Sequence, residues 1–160
     1  MNIHGTYGKQ INMFNDLLTN RRKQMLVVYV ALTIMTLVVY GQVYQFDFIQ
    51  IDDPIFIKNS HVRSGMTLDG IAWAFSSLSI ASSGFWHPLT WISLMLDYQL
   101  YGGNVGGYHV TNLMLHIFST LMLFWLFQRM TKAIWRSAFV AALFALHPHH
   151  VESVAWIAER

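Results

Sequence analysis

No cysteine occurs anywhere in the 160 residues, which excludes a disulfide framework and every thiolate metal site. Charge is scarce too: Asp, Glu, Lys and Arg make up 11% of the chain, whereas soluble domains carry about 25%. With 54% hydrophobic residues and a mean hydropathy of +0.38, that depletion is the composition of a membrane protein. The formal charge is only +2, and the bases are clustered rather than spread over a face, so no nucleic-acid partner is implied. The Asn-x-Ser/Thr glycosylation acceptor is also missing, which favours a bacterial inner membrane over an endoplasmic reticulum.

What is present is arranged by apolar runs. MLVVYVALTIMTLVVYGQVY, starting at Met25, matches the roughly 20 residues that a spanning helix needs. Arg21-Arg22-Lys23 stand directly before it, and positive residues beside a spanning helix stay cytoplasmic. Residues 1–24 therefore form a cytoplasmic segment, in which Ile11, Phe14, Leu17 and Leu18 have helical spacing. Further helices are expected near 110–128 and 134–147, and Arg129, Lys132 and Arg136 put the turn between them inside. Residues 25–160 thus read as an all-α membrane domain of about three transmembrane helices, with 46–108 a long outer loop facing the periplasm. Two short amphipathic helices are expected in that loop. One covers Met66 to Leu78, with Thr67 as N-cap and Leu68, Ile71, Ala72 and Phe75 as its apolar face. The other covers Pro88 to Leu100, with Leu89, Ile92, Leu96 and Leu100 as its face and Gly102-Gly103 after its end. Both are expected on the outer membrane surface, with Trp73, Trp86 and Trp91 at interface depth. Three helices are too few to enclose so many polar residues, so further helices are expected beyond this sequence.

The ionisable residues gather on the outer side. Asp52 and Asp53, just beyond the first span, are adjacent carboxylates, and mutual repulsion raises one pKa of such a pair and makes it a usable general base. An Asp-Asp-Pro turn is the competing reading. His109, Asn112, His116 and Ser119 follow i, i+3, i+7, i+10 and form a polar stripe that belongs against other helices, not lipid. His147-Pro148-His149-His150-Val151-Glu152 offers N and O ligands of the kind that suit a divalent metal, Zn or Mn. Its spacing fits no standard metal motif, and phosphate binding by the same imidazoles is preferred. His87 precedes a helix N-terminus, where an anion is favoured.

Together these motifs resemble the membrane region of the transmembrane-and-tetratricopeptide-repeat O-mannosyltransferase family and its bacterial relatives. The residues that carry the resemblance are Asp52-Asp53-Pro54, Asn59, Trp86-His87-Pro88-Leu89-Thr90-Trp91, Asp97-Tyr98-Gln99-Leu100, Gly107 to Leu113, His116 and His147 to Trp156. The family is similar to the GT-C glycosyltransferases, which draw a sugar from a polyprenyl-phosphate carrier. The resemblance implies a truncated GT-C-type bundle, a protein acceptor, and catalysis by Asp52 and Asp53. It leaves Arg63, Lys58, His87, His109, His149, His150 and Glu152 as substrate contacts, with a divalent metal as an alternative partner for the leaving phosphate. It also implies a C-terminal tetratricopeptide domain, although no repeat of that period occurs in these residues. This fragment is expected to be inactive alone. The competing function is a non-catalytic membrane anchor that presents such a domain to protein partners; a proton-coupled transporter fits less well, since only His116 lies deep.

Overall fold

The computed structural model describes residues 20–48, 53–76, 84–157 and 159. Every regular element among the described residues is helical. The chain divides into two compact units, Met1–Thr36 with Ile117–Leu146, and Leu37–His116 with His147–Arg160.

Helix α1, Arg21–Tyr40, is apolar on all sides after its first turn and continues as a 3₁₀ turn, Gly41–Gln45. Asn20 starts it by accepting from the backbone N–H of Arg22 at 3.1 Å, which satisfies a donor the helix leaves open. Helix α6, Val105–Thr131, is the other long one. Arg21–Gln45 and Val105–Thr131 are both long and apolar enough to cross a membrane. Helix α7, Ile134–Leu146, has 13 residues and is short for a span. In the first unit Val28, Leu32, Phe124, Ile134 and Ala141 form a core, where Tyr29 meets Phe124 edge-on at 5.0 Å. Two residues turn the chain between α6 and α7, with Lys132 in the left-handed region at φ 59°. The Arg21 guanidinium donates to the Lys132 carbonyl at 3.4 Å, which ties the start of α1 to this turn.

The second unit is built around α5, Pro88–Tyr101. Three short helices pack on it: α2, Asp53–Ile57; α3, Ser60–Arg63; and α4, Leu68–Phe75. Each start has a local cause. Asn59 accepts from the His61 N–H at 2.9 Å, Thr67 accepts from the Gly70 N–H at 3.0 Å, and Pro88 takes the first position of α5. At its other end Gly102, at φ 60°, donates to the Tyr98 carbonyl and stops the helix. Phe56, Val62, Ala74, Trp91, Leu94, Met95, Tyr108 and Ile157 fill the core. The apolar faces expected of α4 and α5 point outward, with Leu68 86% and Leu89 74% exposed. Outward apolar residues suit helices that lie on a bilayer. Trp91 departs from expectation, because it is fully buried beneath Phe56, Trp73 and His87 instead of lying at an interface. Helix α5 carries apolar residues round most of its circumference, so periodicity cannot say which stripe faces in.

Candidate functional site

Of the adjacent carboxylates, Asp52 lies outside the described residues. Asp53 opens α2 and has no exposed surface. One helical turn on, Phe56 lies 4.7 Å from Trp91 and 5.4 Å from His87, so Asp53 and His87 belong to elements joined through one phenyl ring. The imidazole of His87 stands immediately before α5 without capping it. Burial lowers its pKa, and the carboxylate of Glu159 acts in the opposite sense. Glu159 carried no signal in the sequence, since only the fold brings it within electrostatic reach of His87. The neighbouring His61 stacks on Trp73 at 4.3 Å, which extends this aromatic layer.

Arg63 and Lys58 are exposed, on α3 and just after α2. His109 is fully buried on α6 and meets the Phe46 ring edge-on at 6.3 Å. Asn112 and His116 are buried as well, but Ser119 is exposed and Thr120 takes its place. At about 100° per residue, position 119 has drifted about 80° from His109, whereas position 120 returns to within about 20°.

Histidines collect where the last segment meets α6 and the end of α1. His150 opens α8, His150–Ala155, and lies 5.1 Å from His116. His147 and His149 stack at 5.4 Å with an 11° interplanar angle, and His147 lies 6.3 Å from His150. Tyr40, its ring 5.4 Å from His116, donates its hydroxyl to the His147 carbonyl at 3.1 Å. The Asn112 amide donates to the Trp156 carbonyl at 2.9 Å, fixing the far end of the segment. Burial lowers the pKa of His150, and the imidazoles of His116, His147 and His149 add to that. Beside His149, the exposed Glu152 and the half-buried Trp156 line a shallow cleft of about 390 Å³. Among the described residues no group of three or more His, Asp or Glu side chains could hold a metal ion. The His147 to Glu152 sequence thus becomes an imidazole cluster rather than a coordination shell. Tyr40 was missed in the sequence because it reads there as one more apolar residue of the span. Asp97, one of the residues that carry the family resemblance, is buried on α5 and accepts from the Thr111 hydroxyl at 2.7 Å.

Two apolar helices of spanning length, a shorter third, and a helical unit rich in carboxylate and imidazole define an all-α membrane protein. The chain is 28% identical over 130 residues to protein O-mannosyl-transferase Tmtc1 of Drosophila melanogaster, covering 79% of this chain and 15% of that protein. It is 33% identical over 127 residues to human protein O-mannosyl-transferase TMTC1, covering 76% and 14% respectively. With mouse protein O-mannosyl-transferase TMTC4 it shares 27% over 144 residues, 79% of this chain and 19% of that one. The chain belongs to this TMTC family. It spans less than a fifth of the length of each of these relatives. No protein-family profile and no solved structure matches it.

Proposed function

We propose that this chain supplies the first outer loop and neighbouring spans of a GT-C-type glycosyltransferase. The enzyme moves a sugar, mannose by analogy with the names of its relatives, from a polyprenyl-phosphate carrier to a protein hydroxyl. The observation that carries this reading is Asp53, a carboxylate with no exposed surface at the start of a helix just beyond a span. An acceptor hydroxyl must lose its proton as the anomeric carbon is attacked, and a positioned carboxylate contributes about 10²–10⁴-fold to such a step. Asp52 serves as the base, and Asp53 orients it or the acceptor. His87 lies within the loop that carries the pair and His109 directly follows it, and Arg63, His149, His150 and Glu152 supply further contacts to donor or acceptor. The protein lies in a bacterial inner membrane with residues 1–24 cytoplasmic and the loop 46–108 periplasmic.

The test is sugar transfer from a labelled polyprenyl-phosphate donor by membranes that hold the complete protein, wild type against Asp52→Asn and Asp53→Asn at equal expression. Loss of transfer by about 10²-fold or more in either variant is the expected result. Equal activity in both variants returns the pair to an ordinary turn and favours the anchor.

A further inference from the structure

We propose that His116, His147, His149 and His150 form a phosphate-binding site, and that the adjoining cleft accommodates the sugar the phosphate carries. Only the identity of that sugar phosphate, as headgroup of the lipid donor, rests on the glycosyltransferase reading. Four imidazoles drawn from α6 and from the start of the last segment share one patch, with neighbouring ring centroids 5.1–6.3 Å apart. Packing alone gives no reason to gather four titratable rings, because charging them together is repulsive. A tetrahedral oxyanion removes that repulsion and accepts from several N–H groups at once, through charge-assisted hydrogen bonds. The His147 Nδ1 accepts from the His149 N–H at 3.3 Å, which leaves its Nε2 side for a ligand.

The patch is also held in advance of any ligand. Tyr40 pins the His147 carbonyl and Asn112 pins the Trp156 carbonyl, so the segment between is tied down at both ends. Such preorganisation lowers the ordering cost of binding. His116 from α6 and His147 and His149 from its own segment face His150, and the Tyr40 phenol of α1 lies beside His116. Burial and these neighbours lower the pKa of His150, and an arriving anion opposes that shift by favouring its charged form. Glu152 is the acidic residue nearest in sequence. Its carboxylate lines the cleft together with Trp156, a pairing suited to sugar hydroxyls and to the apolar face of a pyranose.

The experiment is calorimetric titration of the full-length protein in detergent with inorganic phosphate, mannose 1-phosphate and farnesyl phosphate. It is run at about pH 6.5 and about pH 8, at and above the ordinary imidazole pKa. Wild type is compared with His150→Phe, which keeps a ring but no proton site, and with His149→Gln on the exposed side, which does not disturb the core. Tighter binding at the lower pH is expected, with about a tenfold loss in each variant, the effect of one charge-assisted hydrogen bond. Preference for farnesyl phosphate assigns the site to the lipid carrier, and preference for mannose 1-phosphate assigns it to a soluble sugar phosphate. Wild-type affinities in both variants overturn the site, as does a protein that transfers sugar yet binds none of the three probes. Phosphate binding that the variants weaken, in a protein that transfers no sugar, upholds the site and sinks the transferase reading instead.

Discussion

Aromatic and imidazole side chains carry most of the architecture at the scale of single residues. Trp91 touches Phe56, Trp73 and His87 with no exposed surface, so Trp91→Ala removes the centre of the second unit. It is expected to cost about 3–5 kcal/mol, read as a lower midpoint in denaturant titration of the solubilised protein. The Thr111 hydroxyl on the buried Asp97 carboxylate is a smaller joint, and Thr111→Val should cost about 1–3 kcal/mol in the same titration. Acid acts on His150. Its folded pKa lies below the unfolded value, so its contribution to stability is complete above the ordinary imidazole pKa and is lost as pH falls through the folded one. Amide hydrogen exchange across residues 147–157, corrected for intrinsic pH dependence, should therefore quicken on acidification while the core of α5 stays protected. Unchanged protection of 147–157 would show that the cluster carries no such load.

Helices with strong local signals were legible in the sequence. Thr67 capping α4, Pro88 opening α5 and Gly102 closing it are matters of local chemistry, and the structure bears them out. Details that depend on what lies opposite were not legible. The inward turn of Trp91 and the meeting of Glu159 with His87 both require a partner element to be in place. Gly106 and Gly107 make the same point at the start of α6. A Cβ on Gly106 would sit 2.7 Å from the Tyr44 carbonyl, and one on Gly107 would run into the Tyr101 ring. Alanine normally improves a helix by about 0.5–1 kcal/mol over glycine. Here Gly106→Ala should destabilise instead, lowering the thermal midpoint of the full-length protein.

At the scale of the whole molecule, the absence of cysteine in these residues makes orientation directly measurable. Single cysteines at Gly103 and Lys132, both exposed, should divide cleanly in intact cells, the first labelled by a membrane-impermeant maleimide and the second only after permeabilisation. The reverse pattern would invert the proposed topology. The stretches on either side of residues 49–104 carry a further consequence. Tyr44 lies against Gly106, Phe46 against His109 and Phe48 against Tyr108, so the chain leaves and re-enters this lobe at one seam. During synthesis the first side of that seam emerges before its counterpart exists. At about 5–20 residues per second the ribosome needs roughly 3–12 seconds to make the intervening stretch. Over that interval the buried tryptophan and the carboxylates have no lobe to enter, and the time of translation itself sets the earliest moment at which the second unit can close.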